Sequence, residues 1–125
     1  MSKISKKILI VEDDKDLLFI FQIRLTEEGF SVITAENGRD GLTAIDNDHP
    51  DLILLDILMP VMDGIEMAKQ MNSRNLKIPV IFLTNLNDVE HVADALKAIP
   101  SDYIIKADTP PDKIVTLVKQ KLGLS

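Results

Sequence analysis

DLILLDILMPVMDG, Asp51 to Gly64, is the stretch around which the rest of the chain arranges itself. Leu52 to Leu55 is an unbroken apolar run, the pattern of a strand covered on both faces in a parallel sheet. The run stops on a carboxylate. Asp56 is thereby expected at the carboxyl end of an inner strand, the edge of an open α/β sheet where ligands bind. Pro60 and Gly64 break the chain after it, and Asp63 has the position of an N-cap for a helix through Ile65, Met67, Ala68 and Met71. By itself, one acid at a strand end is as well explained by a turn or a cap.

Working outward, four further apolar runs stand at Ile8–Val11, Val32–Ile33, Val80–Leu83 and Tyr103–Ile105. Segments of helical spacing lie between them, at Lys15–Glu28, Gly38–Asp46, Gly64–Asn72, Asp88–Ile99 and Pro111–Leu122. Alternation of this kind predicts parallel strands, right-handed crossovers and helices on both sheet faces. The expected fold is a doubly wound, flavodoxin-like (βα)5 domain. Its 125 residues are 46% hydrophobic, enough for one domain with a core of its own. With no repeat, linker or low-complexity segment, residues 1–125 read as that single domain, with no output domain.

Composition narrows function. Net charge is −6 and the pI about 4.8, with the 14 basic residues scattered, so direct nucleic-acid binding is not expected. The basic start MSKISKK precedes an apolar run too short for a signal peptide, and no segment has the length of a membrane span. The absence of cysteine suits a reducing compartment, and a cytoplasmic location is expected.

In a parallel sheet the residues after each strand share one edge. Glu12, Asp13 and Asp14 follow the first run, Asp56 the third, Thr84 the fourth and Lys106 the fifth. Carboxylates that close repel one another and are tolerated where a cation sits among them. All-oxygen ligands without histidine or cysteine favour Mg²⁺ or Mn²⁺. Asp56 then becomes the candidate nucleophile, able to carry a phosphoryl group as an acyl phosphate. Lys106 and the Thr84 hydroxyl would meet phosphoryl oxygens. Taken singly, each has a plainer reading: Asp14 as a helix cap, Thr84 as a strand-end hydroxyl, Lys106 as a solvated lysine. His49 and His91 read as surface or capping residues.

VEDD after ILI, LLDILMPVMDG, FLTN and YIIKAD together resemble the response regulator receiver domains of two-component signalling, along essentially the whole chain. The resemblance implies a phosphoacceptor switch, not an enzyme turning over an external substrate. Asp56 would accept the phosphoryl group from a histidine kinase or histidine phosphotransfer protein. Glu12 and Asp13 would be the acidic pair, with Asp13, Asp56 and the Leu58 backbone carbonyl as metal ligands. Thr84 and Lys106 would be the switch hydroxyl and the phosphate-facing lysine. Tyr103 matches the aromatic switch position, beside the alternative of a buried aromatic in the last strand.

The family commonly has proline after the lysine, where this chain has Ala107, and a trans peptide is expected there. Asn85 stands where a small residue is usual, so access to Asp56 is expected to narrow. Leu58 and Leu86 occupy two positions that tune phosphoryl lifetime, and neither can orient water, which implies slow self-dephosphorylation.

Leu17, Leu18, Phe21 and Leu25 form the expected core face of the first helix. Phe19, Ile20 and Ile23 point elsewhere. By resemblance, Ile20 with Leu17 would dock the phosphodonor, the alternative being that the second stripe packs on the last helix. Output, or homodimerisation, would use the fourth helix, fifth strand and fifth helix, with Val89, Val92, Ala93, Leu96 and Ile99 as a core stripe. Two other readings are a phosphorylation-independent docking module and an aspartate-nucleophile phosphatase of the haloacid dehalogenase type. The second needs paired aspartates on the first strand, whereas Asp14-Lys15-Asp16 leads into a helix.

Overall fold

The computed structural model describes residues 6–124; most of the basic start MSKISKK therefore lies outside the described residues. Five parallel strands, β1 (Lys7–Val11), β2 (Ser31–Ala35), β3 (Leu52–Asp56), β4 (Val80–Thr84) and β5 (Asp102–Ile105), form one sheet in the order β2-β1-β3-β4-β5. Five helices connect and follow them: α1 (Lys15–Glu27), α2 (Gly38–Asp48), α3 (Gly64–Ser73), α4 (Val92–Ala98) and α5 (Pro111–Lys121). The doubly wound (βα)5 expectation is met. No helix among the described residues is long and apolar enough to cross a membrane.

Side chains alternate across each strand, so the sheet divides the core in two. Leu9, Val11, Ile53, Leu55 and Phe82 pack with residues of α2, α3 and α4, including Leu42, Met67 and Ala95. On the other face Ile8, Ile10, Leu52, Leu54 and Leu83 pack with Phe21 and Leu25 of α1 and Ile114, Val115 and Val118 of α5. Every residue of β3 and β4 is buried, which is why their sequences read as continuous apolar runs.

The local signals are also in place. Asp14 accepts from the Asp16 and Leu17 amides to cap α1, and Asp63 accepts from Glu66 N to cap α3. Asn37 caps α2 through Asp40 N at 2.8 Å.

The fourth helical segment departs from expectation. Leu86–His91 is 3₁₀-helical and only Val92–Ala98 is α-helical, against one helix over Asp88–Ile99. The buried side is Val92, Ala95, Ala98 and Ile99, while Val89, Ala93 and Leu96 are exposed. Val92, Ala95, Ala98 and Ile99 join the core layer that also holds Met67, Ala68 and Met71 of α3, while Val89 and Leu96 are left outside it. The second stripe of α1 does not pack on α5: Phe19, Ile20 and Ile23 are 61%, 47% and 42% exposed. The described peptide bonds are trans, including that joining Lys106 to Ala107, and Lys106–Asp108 makes a single 3₁₀ turn before α5.

Candidate phosphoryl and metal site

The strand order reverses between β1 and β3, which opens a crevice at their carboxyl ends. Glu12 and Asp13 enter it directly after β1, and Asp56 ends β3. One carboxylate oxygen from each of Glu12, Asp13 and Asp56 lies within 4.8 Å of the others. Glu12 and Asp56 are buried, whereas Asp13 is exposed and forms the solvent side of the group.

Lys106 reaches over from the end of β5. Its Nζ lies 2.7 Å from Glu12 Oε1 and 3.1 Å from Asp56 Oδ2. The Asp56 contact is a hydrogen bond; the Glu12 contact is an ion pair whose alignment leaves Oε1 without a directed donor. Glu12 Oε2 accepts from Asp14 N at 2.9 Å, which fixes the buried carboxylate against the turn into α1.

Burial pushes the Asp56 carboxyl up to about 8, the Glu12 charge adds to the rise, and Lys106 opposes it. Burial pulls the Lys106 ammonium down, but Glu12 and Asp56 outweigh it and the net shift is upward. One partly buried ammonium thus serves two buried carboxylates, with a third carboxylate at the rim. An incompletely satisfied Glu12 oxygen and an all-oxygen donor set in an open crevice fit a hard divalent cation.

Thr84, at the end of β4, is buried, and its Oγ1 donates to the Asn85 carbonyl at 3.1 Å. Asn85 itself is exposed, and its amide donates to Asp88 Oδ2 at 3.2 Å, so the side chain is engaged with its own 3₁₀ turn. Tyr103 on β5 is 46% exposed and faces outward, which excludes the buried-aromatic reading. Leu17 is half-buried and Ile20 exposed on α1; Leu58 and Leu86 are both exposed. His49 is an exposed residue with φ 50° that ends α2, and His91 is half-buried in the 3₁₀ turn.

Two features escaped the sequence reading. Gly64, taken there only as a break, touches the backbone of Asp56: a Cβ at this position would lie 2.1 Å from the Asp56 carbonyl oxygen. The Gly64 amide also donates to the Ile57 carbonyl at 2.9 Å. Second, Val61 has φ 69°, an outlying conformation for a β-branched residue, and is 69% exposed in the loop from β3 to α3. The Pro60-Val61 sequence gives no signal for this, since asparagine or glycine is the residue expected at such an angle.

The family model of the response regulator receiver domain matches residues 8–119. The chain belongs to that family. This receiver domain is similar to the alkaline phosphatase synthesis transcriptional regulatory protein PhoP of Bacillus subtilis (strain 168), with 35% identity over 106 residues, 85% of this chain and 44% of PhoP. It is also similar to the regulatory protein AtoC of Escherichia coli (strain K12), with 39% identity over 80% of this chain and 22% of AtoC. It therefore spans less than half the length of these curated relatives. Among solved structures, a CheY-like response regulator receiver domain protein from Methanospirillum hungatei JF-1 matches with TM-score 0.85 and 31% identity, covering 95% of this chain and 94% of that one. Both curated relatives are named as regulatory proteins.

Proposed function

We propose that this receiver domain is a phosphoacceptor switch in which Asp56 takes a phosphoryl group from a phosphohistidine donor. The supporting observation is the crevice in which Asp56 meets Glu12, Asp13 and the Lys106 ammonium. An Asp56 carboxylate oxygen attacks phosphorus while the bond from phosphorus to the histidine nitrogen breaks. The imidazole leaves with its proton on the other nitrogen. Asp13, Asp56 and the Leu58 carbonyl, with Glu12 behind them, would hold Mg²⁺, or Mn²⁺, and a bound cation there neutralises charge on the phosphoryl oxygens.

Lys106 stabilises the negative charge gathered at Asp56, since it already lies in hydrogen-bond contact with Oδ2. Thr84 gives up its bond to the Asn85 carbonyl and donates to a phosphoryl oxygen instead. Tyr103 then turns inward from its exposed position, and the face formed by α4, β5 and α5 changes its affinity for an output protein or domain. A histidine kinase or histidine phosphotransfer protein is the donor, docking at Leu17 and Ile20, and the reaction takes place in the cytoplasm.

Intact mass after incubation with acetyl phosphate tests the reading. One phosphoryl adduct is expected on the wild type with Mg²⁺, none with chelator, and none on Asp56→Asn. Consumption of acetyl phosphate without an adduct would instead establish turnover. An adduct that persists on Asp56→Asn would move the acceptor elsewhere.

A further inference from the structure

Thr109 is a buried polar residue that the phosphoryl chemistry leaves without a role. It stands in the turn between Lys106 and α5, where Ala107, Asp108 and Pro110 are all exposed. Its hydroxyl donates to the Ile105 carbonyl at 2.9 Å, and its amide donates to the Lys106 carbonyl at 3.3 Å. Those two carbonyls belong to the peptide groups on either side of the Lys106 Cα. Each peptide group is planar, so holding both restrains the two backbone angles of Lys106 and the direction in which its side chain leaves the chain.

Thr109 is itself constrained. Pro110 disfavours helical backbone at the residue before it, and Thr109 has φ −126° and ψ 90°. Pro111 opens α5, whose buried face packs on the sheet and anchors the far end of the turn. Ala107, by contrast, has neither a ring to fix φ nor a side-chain hydrogen-bonding group. The Lys106 side chain is a flexible four-carbon stem, yet its Nζ lies 2.7 Å from Glu12 Oε1 and 3.1 Å from Asp56 Oδ2. Fixing the root of such a stem reduces the freedom it loses in meeting two acceptors. We propose that Thr109 is a positioning residue for Lys106, holding the peptides on both sides of it so that the ammonium stands at Asp56 when the phosphoryl group arrives. The consequence for rate rests on the reading of Asp56 as phosphoacceptor; the placing of the ammonium does not.

Thr109→Val keeps the outline of the side chain without the hydroxyl, and Thr109→Ser keeps the hydroxyl; circular dichroism verifies that both fold. The rate of adduct formation from acetyl phosphate with Mg²⁺ is expected to fall about tenfold in Thr109→Val and to stay within about twofold of wild type in Thr109→Ser. On a Lys106→Met background Thr109→Val should cost nothing more, because no ammonium is left to misplace, whereas an effect on the fold alone would cost the same on either background. NMR spectra with isotopically labelled lysine, recorded without acetyl phosphate, give a second readout. The Lys106 Cε resonance should stand apart from those of solvated lysines in wild type and Thr109→Ser, and fall among them in Thr109→Val. A Thr109→Val rate equal to wild type would overturn the proposal, as would Thr109→Ser as slow as Thr109→Val, an equal loss on Lys106→Met, or an unmoved Lys106 resonance in Thr109→Val. Wild type that takes no phosphoryl group would strike the acceptor role of Asp56 instead. In that case, or if Lys106→Met is too slow to time, the resonance decides whether Thr109 places Lys106.

Discussion

Asp56 is a buried carboxylate beside the buried carboxylate of Glu12, and a single ammonium serves both. The metal-free fold therefore carries an electrostatic cost at this residue. Asp56→Asn keeps the shape and replaces a carboxyl that burial and Glu12 disfavour ionising, while Lys106 retains Glu12. The variant should be more stable than wild type by about 1–2 kcal/mol in chelator. Mg²⁺ should raise the Tm of wild type and leave that of Asp56→Asn nearly unchanged; equal Mg²⁺ responses in differential scanning calorimetry would place the cation elsewhere. On the proposed function, the same crevice would set the lifetime of a phosphoryl group on Asp56. Neither Leu58, two residues after Asp56, nor Leu86, two after Thr84, has a side-chain hydrogen-bonding group to align water, and both are exposed. The acyl phosphate is expected to last far longer than seconds, and Leu58→Asn with Leu86→Glu should hasten its loss at least tenfold, about the low end of what a positioned polar group contributes. Decay of the phosphorylated mass with time measures both, and a wild-type lifetime of seconds would refute the slow release.

The connection from β3 to α3 carries Asp56 on one side and the α3 cap on the other, and it closes upon itself at Gly64. Because a Cβ there would strike the Asp56 carbonyl, Gly64→Ala has to displace the backbone that holds the acceptor. The expected cost is about 1–3 kcal/mol of stability and about a hundredfold in phosphorylation rate; urea melts and acetyl phosphate kinetics read the two separately. A wild-type rate would show that Asp56 is positioned without this contact. Val61, three residues earlier, holds a left-handed angle with its side chain in solvent, so Val61→Asn should gain about 1 kcal/mol. How far these elements were legible depends on what carried the signal. Strands β3 and β4 were plain because both faces are buried and every residue is apolar, and the caps at Asp14 and Asp63 because capping is local. The fourth helix was misread because Val89 and Leu96 keep helical spacing with Val92 and Ile99 yet are exposed, while Ala95 and Ala98 complete the buried side. Close backbone approach at Gly64 and the angle at Val61 arise from contacts across the loop, which no local pattern encodes. In the site, Glu12, Asp13 and Asp56 were brought together by topology alone, since parallel strands share an edge; the sharing of Lys106 between Glu12 and Asp56 depends on side-chain reach and needed the structure.

Across the whole molecule, the sheet and its two core layers leave the first and last helices touching along one rim. There the charges alternate: Asp112 of α5 accepts from Arg24 Nε at 2.7 Å, Arg24 also reaches Glu28 at 3.2 Å, and Lys119 of α5 meets Glu28 at 2.5 Å. Glu28, at the end of α1, is thus held by one cation from its own helix and one from the other. The Lys119 hydrogen bond, followed by that from Arg24, lowers the Glu28 carboxyl below its ordinary value of 4.5. A carboxyl lowered in the folded state stabilises the fold above its unfolded value and loses that contribution as pH falls through the folded one. Wild type should therefore exceed Glu28→Gln in Tm at pH 7, and the gap should hold down to about pH 5 and close between there and pH 3. High salt should narrow it at every pH, because these groups are solvated. A gap that stayed constant from pH 7 to pH 3 would mean that Glu28 acts by packing its stem against α5, with its charge contributing nothing to the joining of the two ends of the chain.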